Sequence, residues 1–407
     1  MQLDRIIMDS NILQYKRESR KIIKKVREGN VGLSKAPPYD SSMRLFSKDL
    51  YKVQSQHSLA PYNVSPSKYK LSNRINLYNI LKIKLVLLKD DDCLEKKTYG
   101  DVKGYTIRDI INLEKRFGTK SKYGAIYLTR VPALANTTPI ASKVMIYNHS
   151  NDKEVKLMTM ITSGIILKEL SKHFLMIYGS SVCSKRIAKK LKLISINELA
   201  DGDLKMLMNI EDVVENNNLM FNLLIQTYIS IASFQNIVGY IHRDTHYGNF
   251  LYQLNTEKGY YHYTFNGTDY YLKACKYNIM IYDFGFARQI SSEEDYDPTH
   301  IVKIKRDIYE DYRKIIHAFF SKRYKGWIKL PGFPDKNTNQ LMISFSYYLD
   351  QHIEYELTNN PQNTSKSYAF NIFTNIIENI FLKYAPKGMF ITQRPQKVIN
   401  KSPFIIG

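Results

Sequence analysis

The sequence predicts an α+β fold: a basic N-terminal extension, then a strand-rich part, then a larger helix-dominated part. Three observations predict it. Short runs of alternating apolar residues recur between about residues 111 and 197. The most apolar long stretch, Leu219 to Ile241, has the length of a buried helix. The C-terminal third, through Tyr347-Tyr348-Leu349-Asp350 and Phe370 to Tyr384, shows helical apolar spacing interrupted by prolines. The 407-residue chain can bury a sizeable core, and 44% hydrophobic content with 32 Tyr and 18 Phe excludes a disordered chain.

Several classes are excluded early. The N-terminus, Met1-Gln2-Leu3-Asp4-Arg5, has no apolar signal core. Leu219–Ile241 is broken by Asn222, Gln226, Gln235 and Asn236, which are costly in a bilayer, so no transmembrane segment is expected. Cys93, Cys183 and Cys275 contain no CxxC pair. They read as neither a disulfide framework nor a zinc site, and fit a reducing, intracellular, cytoplasmic compartment. The formal net charge of +21 has two readings: plain solubility, or attraction to an anionic partner such as nucleic acid or an acidic surface.

Taken in order, residues 1–100 form the extension. Lys16, Arg17, Arg20, Lys21, Lys24, Lys25 and Arg27 make a basic helical run closed by Gly29-Asn30, with Ile22, Ile23 and Val26 as a narrow apolar stripe. Pro37-Pro38, Pro61 and Pro66 mark irregular chain. Leu81 to Leu88 alternates lysine with apolar residues and reads as a strand. Asn112–Gly118 and Ser121–Leu128 read as a hairpin, and Ile140–Met145 as a further strand. A helix follows: Val155, Leu157, Met158, Ile161 and Ile165 behind Glu154. Lys190–Asn197 is an apolar strand running into an Asp-Gly turn at Asp201-Gly202. Met220, Phe221, Leu224, Tyr228, Ile231, Phe234 and Ile237 share one helix. Tyr260–Leu272 reads as two strands around Asn266-Gly267, a hairpin whose tyrosines pack at a sheet edge.

Two motifs carry chemistry. His242-Arg243-Asp244-Thr245-His246-Tyr247-Gly248-Asn249 contains H-R-D-x-x-x-x-N, and Asp283-Phe284-Gly285 is D-F-G. Either alone occurs by chance; both in this order behind a long apolar helix are specific. Transfer of a γ-phosphoryl group needs charge neutralisation, in-line positioning and a carboxylate near the attacking hydroxyl. Mg²⁺ takes oxygen ligands and often only one or two carboxylates, so an Asn/Asp pair suffices.

On these motifs the chain resembles the protein-kinase-like superfamily, over roughly residues 111–320. The resemblance implies a bilobal fold, with a small β-rich N-lobe over 101–197 and a larger helical C-lobe over 198–407. It implies ATP and Mg²⁺ as cofactors and protein substrates as partners. Asp244 would be the catalytic base, with Asn249 and Asp283 as metal ligands. Lys143, in Ile140-Ala141-Ser142-Lys143, would contact the phosphates and pair with Glu154, or in reserve with Glu169. Ser121, Gly124 and Ile126 fall where a phosphate-covering loop belongs, although only one of its glycines is in register. Ala141 and Leu251 would enclose adenine, backbone groups of Glu198 and Ala200 would bond its edge, and Asn197 would guard the rear of the pocket.

Two departures matter. His246 stands where Ser/Thr kinases place lysine; it would donate to the γ-phosphate or brace the loop. It also gives a likeness to aminoglycoside- and choline-type small-molecule phosphotransferases. No A-P-E follows D-F-G, and Asp307-Ile308-Tyr309 resembles the start of the large central helix soon after. Arg243 could pair with Glu293, Glu294 and Asp295, or that run is a solvated turn. With the Lys/Asn/Ile/Tyr-rich composition, the chain resembles divergent serine/threonine protein kinases of large DNA viruses, which implies a cytoplasmic location or packaging in a virion. A small-molecule phosphotransferase and a non-catalytic kinase-like scaffold are the alternatives.

Overall fold

The computed structural model describes residues 69–89, 92–99, 102–117, 124–132, 140–187, 190–290, 298–320, 338–360 and 364–407. The basic run at 16–27, the proline-rich stretch up to Pro66, Ser121 and the acids Glu293–Asp295 lie outside the described residues.

The described chain begins with helix α1 (Leu71–Leu85). The alternation over Leu81–Leu88 misled: these residues close a helix, with Leu81 and Leu85 one turn apart on the buried face that also carries Arg74. A five-residue alternation fits either period; the added contact of Arg74 with the body selects the helix.

Seven antiparallel strands follow in one sheet: β1 (Glu95–Tyr99), β2 (Val102–Ile107), β3 (Ile111–Phe117), β4 (Ala125–Arg130), β5 (Ile140–Ile146), β6 (Ile177–Ile187) and β7 (Lys190–Asn197). Their order is β1-β2-β3-β4-β5-β7-β6. The sheet thus starts two strands before the pair expected at 112–128, inside what the sequence assigned to the extension. It curls until its ends meet: Ser181 Oγ on β6 donates to Asp92 O (3.1 Å), and Cys183 is bonded to Cys93, just before β1. The expectation of three unpaired cysteines is therefore corrected. Cys93 and Cys183 form a disulfide with Cα atoms 4.6 Å apart across 90 residues, a contact made by sheet curvature that sequence spacing does not encode. Cys275 remains a free thiol.

Between β5 and β6 lies helix α2 (His149–Ile161), extended by a π-helical turn, Thr162–Ile166. Asn148 caps it, its side chain accepting from Asn151 N–H (2.9 Å). Residues 151, 154, 155, 158 and 161 line the buried face at helical spacing.

The second half is built on helix α3 (Asn217–Ser233), capped by Asn216 and buried almost all round. The polar groups that excluded a membrane span are hydrogen-bonded inward. Asn222 Nδ2 donates to Lys273 O (2.7 Å), and Gln226 Oε1 accepts from Ile279 N–H (3.0 Å). No helix among the described residues is long and apolar enough to cross a membrane. Past a π-helical turn, Gly239 takes φ 78° and turns the chain out of the helix, a left-handed stop that suits glycine.

Short strands complete this part: β8 (Gly202–Asp203), β9 (Tyr240–Ile241), β10 (Phe250–Leu254), β11 (Tyr260–Phe265), β12 (Thr268–Lys273), β13 (Tyr277–Ile281) and β14 (Arg288–Gln289). Helices α4 (Pro298–Phe320), α5 (Thr338–Asn359) and α6 (Ser365–Ile376) follow, with β15 (Phe390–Ile391) and β16 (Phe404–Ile405) at the end. Asp307 thus lies inside α4 and does not begin it.

The hairpin predicted at 260–272 forms, with Asn266 and Gly267 both at positive φ as a tight turn demands. It does not sit at an edge. The sheet order is β15-β12-β11-β16, so the chain's last strands flank the hairpin on both sides and bury Tyr261, Tyr263 and Tyr271.

Candidate active site

Register explains how distant residues meet. On β5, Lys143 lies opposite Ile126 of β4 and Ser195 of β7, and Ala141 lies opposite Asn197. Directly opposed residues project to one side of a sheet, so this face carries Ile126, Ala141, Lys143, Ser195 and Asn197 together. Gly124 enters β4 beside them. A Cβ there would sit 2.9 Å from Val144 O, so glycine is required by the close approach to β5.

Only two residues separate the end of β5 from α2, which brings Glu154 back over Lys143 despite the short 11-residue spacing. Lys143 Nζ lies 2.8 and 3.1 Å from the Glu154 carboxylate oxygens and 3.3 Å from Asp283 Oδ1. Burial alone would lower the Lys143 pKa, but Glu154, Tyr282 and Asp283 outweigh it and hold the ammonium above its ordinary range. Lys143 and Glu154 are buried, whereas the Asp283 side chain is 42% exposed. Glu169, the reserve partner, is exposed at the far end of the π-helical turn and does not join them.

Asp283 and Asn249 meet through the β10–β13 ladder. Phe250 pairs with Ile281, and Tyr282 N–H donates to Asn249 O (2.9 Å). The 34-position gap between the two motifs is taken up by the hairpin, which leaves this junction intact. Asp283 is held at φ 63°, a strained conformation of the kind that clusters at functional sites. Beside it Phe284 is buried, stacked on Phe234 (4.8 Å) and edge-on to His242 (5.7 Å).

The residues of the His242–Asn249 loop are pinned from behind. His242 Nε2–H donates to Tyr282 O (2.8 Å), which leaves Nδ1 as acceptor for Asp244 N–H (3.3 Å). Burial lowers the His242 pKa, consistent with this neutral tautomer. Asn249 Nδ2 donates to Asp244 O (2.9 Å) and Oδ2 (3.2 Å). His246 Nδ1 accepts from Gly248 N–H (3.0 Å), and its Nε2 lies 3.6 Å from Asp244 Oδ2. His246 therefore braces the loop while keeping an exposed edge.

Sequence reading missed the anchor of this loop. Asp311, fully buried on α4, accepts from His242 N–H (2.7 Å), Arg243 N–H (2.8 Å) and Gln235 Nε2 (3.1 Å). Burial pushes its carboxyl up to about 7 against those donors. Asp307, one turn earlier, instead faces Arg243 Nε at 3.4 Å, an ion pair without hydrogen-bond alignment. Sequence reading names only Asp307; that Asp311, one turn later, takes the loop amides is decided by packing. Tyr282 was missed as well, its ring 5.8 Å from Lys143 Nζ.

Behind β7, Glu198 N–H donates to Met176 O and its carboxylate is held by Arg74 (2.7 and 2.8 Å). Its carbonyl and the Ala200 N–H take no partner among the described residues. Ala200, Leu175 and Met280 form a small apolar cluster with Leu251 and Tyr282 against it. Asn197 is buried with Nδ2 bonded to Ser195 Oγ (3.0 Å).

No group of three or more His, Cys, Asp or Glu side chains gathers as a metal cluster among the described residues. The Asn249/Asp283 pair still suits a hard cation. Both supply oxygen, and Asn249 commits only its N–H groups, which leaves Oδ1 without a partner among the described residues. No protein-family model matches the chain, and neither does any curated protein.

Proposed function

We propose that this chain is an ATP- and Mg²⁺-dependent serine/threonine protein kinase with a bilobal kinase-like fold. The observation that carries the reading is Lys143 Nζ within 3.3 Å of both Glu154 and Asp283, with Asn249 and Asp244 at the adjoining ladder end. A cation held between two acids near a third carboxylate is the arrangement that positions a triphosphate for in-line transfer.

In this reading Asn249 Oδ1 and Asp283 would hold Mg²⁺, and the ion would supply charge neutralisation at the nucleotide phosphates. Lys143 contacts the phosphates, and Glu154 fixes its direction. The acceptor hydroxyl oxygen attacks the γ-phosphorus while the bond to the bridging β,γ-oxygen breaks. Asp244 orients that hydroxyl and takes its proton. The free Glu198 carbonyl and Ala200 N–H supply an acceptor and a donor for the adenine edge, over the apolar floor of Leu251. Gly124, Ile126 and Ala141 roof the base and phosphates.

A second reading, a small-molecule phosphotransferase, is favoured by His246 close to Asp244 in place of a lysine. Incubation with γ-labelled ATP separates the two. Label in protein serine and threonine supports the kinase; label only in small metabolites overturns it. Equal transfer by wild type and Asp244→Asn would identify a non-catalytic scaffold carrying a contaminant.

A further inference from the structure

Leu170–Phe174 joins the π-helical end of α2 to β6, and four distant parts of the chain grip it. From α1, Arg74 Nη1 donates to Lys172 O (3.2 Å) and Nη2 to Phe174 O (2.6 Å). From β11, the Tyr263 hydroxyl meets His173 Nε2 (2.8 Å). From β16, Ile405 N–H donates to Leu170 O (2.8 Å), while Ile406 N–H donates to Thr264 O (3.0 Å). From β13, Ile281 N–H donates to His173 O (3.0 Å), two residues before Asp283. His173 is fully buried, and its Nδ1 donates to Ile279 O (2.7 Å), so Nε2 accepts from Tyr263.

This junction belongs at once to the helix that carries Glu154 and to the strand that ends at Asp283, the two acids around Lys143. The last residues are themselves locked to the hairpin. Asn400 bonds the backbone N–H and C=O of His262 (both 2.8 Å), and Phe404 packs on Tyr263 (5.6 Å).

We propose that α1 and the C-terminal strand, acting through Leu170–Phe174, hold α2 where Glu154 reaches Lys143. Arg74, Tyr263 and Ile405 are then positioning residues for the site. That the site transfers phosphate rests on the preceding reading; the brace does not. The consequence is control through β16: a partner that lifts the β16 segment off β11 disassembles the Lys143–Glu154 pair without touching the active-site residues.

Hydrogen exchange tests the brace directly. The full chain is compared with Tyr263→Phe, which leaves His173 Nε2 without its donor, and with a chain ending at Val398. Amides of α2 (residues 149–161) exchange at least tenfold faster in both variants, while those of α3 keep wild-type protection. In phosphoryl transfer, kcat falls at least tenfold with KM for ATP changed less than threefold. Adding Glu154→Gln to Tyr263→Phe lowers kcat no further than Glu154→Gln alone. Unchanged α2 protection in a folded Tyr263→Phe chain overturns the proposal, even if the truncated chain fails to fold. Faster α2 exchange in both variants, beside a wild-type chain that transfers no phosphate, supports the brace and refutes the kinase reading.

Discussion

Arg74–Glu198 and Lys143–Glu154 are both buried pairs of a glutamate with a cationic side chain, and they are built for different ends. Arg74–Glu198, 3% and 6% exposed, is saturated: Arg74 also serves two carbonyls, and Glu198 also accepts from Met176 N–H and Gln253 Nε2. Lys143–Glu154 is equally close but has a half-open third partner, Asp283, at 3.3 Å. A saturated pair has one arrangement and ties α1 to the chain behind β7. A pair with a spare, solvent-facing acid can exchange a partner for a ligand. Burial of charge serves position in the first case and leaves capacity for chemistry in the second.

Breaking each pair should separate these roles. Under the proposed function, Lys143→Met is expected to cut turnover by several orders of magnitude, since the phosphates would lose their fixed cation. It should cost little stability, because one proton shared between Glu154 and Asp283 relieves their repulsion. Arg74→Met should do the reverse in stability, about 3–5 kcal/mol by denaturant titration, because Glu198 is left buried and unpaired. Similar stability losses in both variants would erase the contrast.

Lys172 sharpens it through pH. Its buried ammonium has no carboxylate within hydrogen-bond range among the described residues; Nζ donates to Asn278 Oδ1 (2.5 Å) and sits 3.6 Å over the Tyr261 ring. Burial lowers its pKa from 10.5 to about 7. The unfolded chain keeps the proton to about pH 10.5 and the folded chain releases it near 7, so unfolding takes up a proton between those values. Stability should therefore rise with pH from 7 towards 10, and below 7 the full cost of the buried charge remains. Lys172→Met should flatten that rise and add up to roughly 4 kcal/mol at pH 6 by the same linkage. An unchanged pH profile of denaturant midpoints would show that Lys172 does not titrate there. The smallest expected effect is Asn148→Ala at the cap of α2, about 1 kcal/mol in stability, with a modest fall in turnover.

Much of the site was legible because its requirements are chemical and local. H-R-D-x-x-x-x-N and D-F-G name Asp244, Asn249 and Asp283, and alternation around Lys143 places it on a strand. Glu154 was named first with Glu169 in reserve, and the short connection from β5 to α2 decides for Glu154. The curled sheet's first two strands were not, because Lys96, Lys97 and Lys103 interrupt any apolar alternation. Neither were Arg74, Asp311 and the Cys93–Cys183 bond, whose roles rest on partners tens to more than a hundred residues away. The hairpin at 260–272 was predicted from Asn266-Gly267, yet its burial depends on β15 and β16, more than a hundred residues later.

The most direct test is the rate of γ-phosphate transfer from ATP to protein as Mg²⁺ is titrated, in wild type and Asp283→Ala. Saturable, Mg²⁺-dependent transfer by wild type and none above background by Asp283→Ala is the predicted result. Transfer that is independent of Mg²⁺, or equal in the two proteins, would contradict the assignment of these acids and this lysine to a nucleotide site.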